Sequence, residues 1–404
     1  MPTAVKSVTQ PYTPTPELLK MMETFRRMVN HCITIGLTND ISSMKRLSKL
    51  SYEQTGEYNI VNYYRLCAIS HAAVILANRR KSIKRGYETR DPYVKKPLLI
   101  SCYGFKIGHD KGVLRVPLGK RQYSEINLNK HVRTILKDPT IRVRSFLISE
   151  NGVSICYSKV VEQSIPTDVL GIDRNLSNIT VGNLKNVVMY DVTKAVQIAD
   201  NSRSVMRALK RNDVRIRKRL AMKHGRRRKA RINQLLHKVS KAIVQQAKEQ
   251  NAAIAFEDIK RIRRLYLRGN YRGKDYRSRM NSWPYYELER QVKYKAAWEG
   301  VPVIQLLKSE TRDTSTLCPR CGKRTQGAAR DDVQHKRQRW CPECQRWMDR
   351  DVIAAMNLSL KGLLRFGSPQ GLAYEAMKGN LDKVPVILRV DASKLRLTRG
   401  ETEP

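Results

Sequence analysis

Acidic residues are scarce in this 404-residue chain: 36 Asp and Glu stand against 78 Lys and Arg, for a formal charge of +42. The excess runs along most of the chain rather than one tail, so the surface field calls for a polyanionic partner. Long apolar runs are also missing. No stretch approaches the roughly 20 residues of a membrane-spanning helix, and the opening MPTAVKSVTQPYTPTPELLK carries no signal-peptide apolar segment. These absences lead to the expectation of a soluble intracellular protein without a membrane partner. Cysteine is sparse, and a chain this long buries substantial cores without disulfides. Of the eight, Cys32, Cys67, Cys102 and Cys156 are scattered, and four form two close pairs near the C-terminus. That split implies reduced thiols plus a metal site, in a reducing compartment. Apart from the cysteine pairs there is no internal repeat.

The spacing of Leu18, Met21, Met22, Phe25, Met28, Val29 and Cys32 predicts a helix capped by Thr15, with Pro16 in its first turn. A second helical region is expected over 59–84. From Pro97 the texture changes, and LLISCYGFKIGHDKGVLRVPLG and IRVRSFLISENGVSICYSKV read as two β-hairpins, the second turning at Asn151-Gly152. A new unit begins near Pro166. There TDVLGIDRNLSNITVGN reads as a strand ending at Asp173, a polar turn and a second strand from Ile179, and NAAIAFEDIK as a short strand ending in Glu257 and Asp258. Between them, residues 203–231 read as a basic helical segment with 14 Lys or Arg and one acid, Asp213. Arg226, Arg227, Arg228 and Arg231 are its candidate phosphate contacts, the alternative being a solvated helix face. Downstream, RIRRLYLRGNYRGKDYRSR interleaves eight basic residues, Arg263 and Arg264 among them, with Tyr266, Tyr271 and Tyr276. Guanidinium groups hold phosphates and tyrosine faces stack on bases, so this is a candidate single-strand or hybrid contact; the alternative is a flexible basic loop.

Cys318-x2-Cys321 and Cys341-x2-Cys344 match four thiolates around one tetrahedral zinc, a closed and therefore structural site. The rival reading is a reactive dithiol. His335 lies between the pairs and is not needed as a ligand. Asp173 and Glu257 sit at strand ends, and Asp351 opens the helical run DVIAAMNLSLKGLLRF. Singly, each reads as a solvated acid or a charge on a helix dipole. As a set they suit phosphodiester hydrolysis by two divalent ions about 4 Å apart, for which hard carboxylate oxygens select Mg²⁺ or Mn²⁺. Asp349, two residues from Asp351, competes for the role.

GIDRNLSN, AFEDIK and CPRCG…CPECQRWMDRDVIAAMNL, in that order, resemble the three nuclease motifs and zinc ribbon of the TnpB family, transposon-encoded RNA-guided nucleases related to type V CRISPR effectors. NSWPYYELERQVKYKAAWEGVPVIQL resembles the stretch between the second motif and the ribbon, and Ile353 departs from the asparagine of many members. The resemblance is dense from about 166 to 360. It implies a multi-domain α/β protein: an RNase H-like (RuvC) core over 166–310 and 350–366 and a zinc ribbon over 311–349. Before these it implies a wedge β-barrel over 1–15 and 92–165, with a helical recognition insert over 16–91. A tail at 367–404 has no assigned chemistry. Asp173, Glu257 and Asp351 are the implied ligands of two Mg²⁺ or Mn²⁺ ions, and Asp351 is preferred to Asp349 because it occupies the family position. The implied partners are a guide RNA from the transposon end and a double-stranded DNA target with a short flanking motif, one protein per RNA, in the prokaryotic cytoplasm at the nucleoid. Alternatives are a compact CRISPR effector of the same chemistry, a nuclease-dead RNA-guided repressor and a strand-joining transposase.

Overall fold

The computed structural model describes residues 2–108, 112–119, 121–208, 214–259, 262, 273–329, 331–365 and 385–396. Two compact units emerge, one spanning Thr3–Val160 and the other the residues from Val161 onward. Among the described residues no helix is long and apolar enough to cross a membrane.

In the first unit, β1 (Thr3–Pro11) leads into α1 (Pro16–Thr38). The Thr15 hydroxyl accepts from the Leu18 N–H at 3.4 Å, and Pro16 occupies a first turn that needs no N–H from it. The predicted apolar stripe is buried, except that Met21 is only half-buried. α1 packs on α3 (Asn62–Lys84), with Phe25 edge-on to Tyr64 at 6.5 Å between ring centroids. α2 (Met44–Ser51) and a short 3-10 turn (Gln54–Glu57) fill the interval between them. The Tyr64 hydroxyl donates to the Pro117 carbonyl at 2.9 Å, tying the helices to β4 (Val113–Gly119).

β6 (Arg142–Ser149) and β7 (Gly152–Val160) form the hairpin expected at Asn151-Gly152. The other expected hairpin forms in part, while its first strand goes elsewhere. β2 (Leu98–Ser101) pairs with β6, and β3 (Lys106–Gly108) pairs with β4, which continues to β5 (Gln122–Asn127). Burial explains where β2 goes: it sets Leu99 opposite Ile148, both fully buried, and leaves the local hairpin to β3 and β4. α4 (Lys130–Leu136) follows β5. Among the described residues these strands make two ladders, β1-β7-β6-β2 and β3-β4-β5, rather than one closed ring.

The second unit is built on a six-stranded sheet. β8 (Asp168–Arg174), β9 (Asn178–Gly182) and β10 (Asn186–Asp191) form an antiparallel meander. β11 (Ala252–Glu257) lies parallel to β8, and β12 (Val303–Leu306) parallel to β11. Strand alternation divides β8 between two layers. Leu170 and Ile172 join the core with Leu235, Val239 and Ile243 of α6 (Val214–Glu249) and Leu288 and Val292 of α8 (Tyr285–Glu299). Val169 and Gly171 face α9 (Arg350–Arg365). α5 (Thr193–Ala208) and α7 (Lys274–Ser282) flank the first layer. A three-stranded ribbon of β13 (Gln326–Gly327), β14 (Gln338–Cys341) and β15 (Arg346–Asp349) interrupts the chain between β12 and α9.

The C-terminal stretch departs from expectation. Val386–Asp391, read from sequence as part of a tail without assigned structure, forms β16, parallel to β10 at the sheet edge. The outer edge of β10 offers unpaired backbone groups, and the six β16 residues satisfy them in register from Asn186↔Val386 to Asp191↔Asp391.

β8 and α9 approach so closely that a Cβ at Gly171 would lie 2.1 Å from the Ala355 carbonyl oxygen and 2.6 Å from the Ser359 nitrogen. The Ser359 hydroxyl donates to the Val169 carbonyl at 2.6 Å across the same seam. Because the obstructing atoms are backbone, Gly171→Ala must move α9 bodily. It should lower unfolding stability by about 1–3 kcal/mol in urea titration; an unchanged midpoint would contradict this seating of α9.

Candidate active site

Asp173 is the penultimate residue of β8 and Glu257 the last of β11. Their parallel register, Phe256↔Ile172, brings both acids to the same end of the sheet. Asp351 enters from above, on the first turn of α9, and is 1% exposed. Asp173 lies within electrostatic reach of both other acids, although among the described residues only the four cysteines bring their ligand atoms within 4.8 Å of one another. The Asp173 carboxyl is pushed up to about 7, first by burial and then by the charges of Glu257 and Asp351, against an Asn175 hydrogen bond and the Arg350 charge. Burial also raises Glu257, with Arg174 opposing.

Each acid is held by its own partners. Asp351 Oδ2 accepts from Asn178 Nδ2 at 2.9 Å and from the Arg337 guanidinium, while Arg350 lies 3.6 Å from Oδ1. Asp173 Oδ2 accepts from Asn175 Nδ2 at 2.6 Å. The Glu257 carbonyl receives Arg174 Nη2 at 2.7 Å and Gln305 Nε2 at 2.9 Å. Buried Arg174 also donates to Glu289 Oε2 at 2.8 Å and stacks over the Phe256 ring at 5.0 Å. Lys293 links Glu289 to Gln305 at 2.6 and 2.9 Å. Arg174, Asn178 and Arg337 were not picked out from sequence. Only Arg174 left a signal there, as a charge next to Asp173 at the end of an apolar strand.

Asp349 takes a different place from its rival. It ends β15 rather than lying on the helix, and its Oδ1 accepts the Asp351 N–H at 2.8 Å. It therefore caps α9 and sets where the helix begins.

The four ribbon cysteines bring their sulfurs within 4.8 Å of one another, with Cys318–Cys344 at 3.8 Å and Cys321–Cys341 at 3.5 Å. Tetrahedral Zn–S bonds of about 2.3 Å require sulfurs about 3.8 Å apart, so the donor set fits a metal ion. Gly322 and Gln345, at φ 72° and 47°, turn the chain just after each pair. Further hydrogen bonds join the ribbon to α9. Asn357 Nδ2 donates to the Thr314 and Leu317 carbonyls at 2.7 and 2.8 Å, and the Arg350 N–H donates to the Arg337 carbonyl at 3.0 Å. His335 stacks on Trp347 at 4.3 Å and bonds Asp332, away from the sulfur cluster. A pocket of about 620 Å³ is lined by Asn178, Lys336, Arg337, Asp349 and Arg389 among others, and none of the three acids is part of its lining.

Residues 203–231 fall on α5 and α6, with 209–213 outside the described residues. Arg226, Arg227 and Arg231 are exposed on α6 and Arg228 is half-buried, and none of the four forms an ion pair among the described residues. Charge balance is better than the sequence suggested at the other end of this segment. Arg203 and Arg279 both reach Asp200, at 3.1 and 2.8 Å, and Arg207 reaches Asp275 at 2.6 Å. The Arg279–Asp200 and Arg207–Asp275 pairs join α5 to α7, and all three pairs leave less charge for phosphate than a count of residues implies. Tyr276 is exposed on α7, whereas Arg263, Arg264, Tyr266 and Tyr271 lie outside the described residues.

Residues 285–358, covering α8, β12, the ribbon and the start of α9, match the family model described as Cas12f1-like, TNB domain. A TnpB-like protein of Methanocaldococcus jannaschii is 29% identical over 272 residues, covering 64% of this chain and 92% of that protein. A Streptomyces pristinaespiralis protein, named provisionally as an RNA-guided DNA endonuclease, is 24% identical over 223 residues, covering 54% of this chain and 51% of its own length. The fold is similar to that of Cas12f1 in a cryo-EM complex with sgRNA and target DNA, with a TM-score of 0.55 and 13% identity over 85% of this chain and 81% of that one. In sequence the chain is similar to TnpB-like proteins, and over 285–358 to the Cas12f1-like TNB domain.

Proposed function

We propose that this protein is an RNA-guided DNA endonuclease of a transposon, cleaving phosphodiesters at a RuvC-type site formed by Asp173, Glu257 and Asp351. The observation that carries the reading is the placing of half-buried Asp173 within electrostatic reach of the other two acids. A fold that only needed stability would not gather like charges at a half-buried sheet end. Hard carboxylate oxygens fit Mg²⁺ or Mn²⁺, and all three acids would hold two such ions. When bound, the ions supply activation of a water and stabilisation of the leaving 3′-oxygen. The chain's own residues prepare the site. Asn178 and Arg337 anchor one oxygen of Asp351, Arg174 and Gln305 fix the backbone of Glu257, and Asp349 caps α9. In the overall reaction a water oxygen bonds to phosphorus as the P–O3′ bond breaks, leaving a 5′-phosphate and a 3′-hydroxyl. The ribbon is assigned one structural Zn²⁺, its four thiolates leaving no open position for a reacting water.

The first unit is assigned as wedge and helical recognition module, and the exposed arginines of α6 as backbone contacts for guide RNA or target. Intact acids weigh against a nuclease-dead repressor. The TnpB-like relatives favour a transposon-end RNA over a CRISPR repeat RNA; sequencing the RNA that copurifies with the protein tests that choice.

Asp173→Asn, Glu257→Gln and Asp351→Asn should each abolish cleavage in a plasmid assay and leave guide-RNA affinity within a few fold. Retained cleavage by any of them would remove that acid from the site.

Asp173→Asn should also stabilise the metal-free protein. The folded Asp173 carboxyl titrates near 7, well above the ordinary value near 4. The folded state therefore binds this proton more tightly, and the stability contributed by the neutral acid is complete below about pH 4 and lost as pH rises through 7. At pH 8 the neutral amide should gain on the order of a few kcal/mol over the carboxylate in metal-free unfolding.

Elemental analysis should find about one zinc per chain, and Cys341→Ser should lose both zinc and cleavage. Full activity in zinc-free protein would refute the structural-zinc assignment.

Neutralising Arg226, Arg227, Arg228 and Arg231 together should weaken nucleic-acid binding for all sequences alike. It should reduce the log–log salt slope by about 0.7–0.9 for each phosphate that is no longer neutralised. An unchanged slope would make this face of α6 a solvated surface.

A further inference from the structure

Two polar atoms beside the acids have no hydrogen-bond partner among the described residues, although both are shielded from solvent: Oδ1 of Asn178 and Oγ1 of Thr180. Thr180 is fully buried and lies directly opposite Asp173 in the β8–β9 ladder, so the two side chains share a face of the sheet. Asn178 sits two residues earlier on β9, which puts it on that same face. Its amide orientation follows from chemistry. The Asp351 carboxylate only accepts hydrogen bonds, so the Asn178 NH₂ must point to it, at 2.9 Å, and Oδ1 must point away. Buried polar atoms in native proteins almost always have a protein, water or ion partner. These two stand on the face that carries the carboxylates.

We propose that Asn178 Oδ1 and Thr180 Oγ1 are neutral oxygen donors to the divalent ion held by Asp173 and Asp351, or to a water bound to that ion. The proposal rests on the metal-dependent reading above. Mg²⁺ demands near-octahedral oxygen coordination, more than three carboxylates supply to two ions. Neutral oxygens complete such a shell without adding a like charge where carboxylates already repel. The rival role is structural: Asn178 would only orient Asp351, and Thr180 would only fill space.

Mn²⁺ titration of the full chain, with free ion followed by electron paramagnetic resonance, separates the two. Asn178→Ala and Thr180→Val should each weaken Mn²⁺ binding about ten-fold or more, the usual cost of removing a group that supports a metal. Thr180→Val should leave metal-free thermal stability equal or higher, because it removes an unpaired buried hydroxyl. Asn178→Asp keeps an oxygen but replaces the donor to Asp351 with a like charge. It should bind Mn²⁺ at least as tightly as wild type if the oxygen is the ligand, and as weakly as Asn178→Ala if orientation is the whole role. Wild-type Mn²⁺ affinity in either Asn178→Ala or Thr180→Val removes that residue from the shell. Asp351→Asn is the control. If it too binds Mn²⁺ like wild type, the metal-dependent reading fails; if it alone weakens binding, only the present inference fails.

Discussion

Setting half-buried Asp173 within electrostatic reach of two further carboxylates is the constraint on which the second unit depends. Left uncompensated, like charges at this sheet end would drive the strands apart or force protonation, and the Asp173 carboxyl rises to about 7, first through desolvation and then through the two neighbouring charges. The surrounding structure answers with fixed positive groups that do not fill the acids' common space. Arg174 sits behind Glu257, on the opposite face of the strand from Asp173, and is itself neutralised by Glu289. Arg337 and Asn178 meet Asp351 at one oxygen only. Charge is thereby balanced at the back and rim of the site, and the faces the acids turn toward one another keep their affinity for cations.

The same constraint explains why the ribbon belongs where it is. α9 must deliver Asp351 to an acid pair on the sheet, and a helix start is set by its cap. Asp349, at the end of the last ribbon strand, supplies that cap, while Asn357 ties α9 to the residues just before Cys318. The sulfur cluster therefore has mechanical access to the position of Asp351 at two points, one at each side of the helix's first two turns.

Much of this was legible because it was periodic or punctuated. The stripe of α1, the turn at Asn151-Gly152, the strands ending at Asp173 and Glu257 and the paired cysteines each write their geometry into local spacing. What stayed illegible was decided at long range. The hairpin read over 98–119 closes between β3 and β4, but β2 went to β6 because Leu99 found Ile148 some fifty positions away, a pairing with no local signature. β16 reads as an ordinary apolar stretch until β10 offers an edge. Arg337 and Asn178 look like surface residues of a basic loop and a polar turn, and they acquire a role only when folding brings Asp351 to them.

Net charge was the least reliable guide to position. The formal +42 points to a polyanion correctly as a class of partner but does not say which cations are free to meet it. Arg203, Arg207 and Arg279 are spent inside the protein, on Asp200 and Asp275, and Arg174 is sealed in the core. By contrast Arg226, Arg227 and Arg231 project from a helix whose apolar side, from Ile232 through Val244, is fully committed to the sheet. A rigid helix anchored on one face holds exposed charges at fixed spacing on the other, and an extended phosphate backbone is the kind of ligand that such a row can follow.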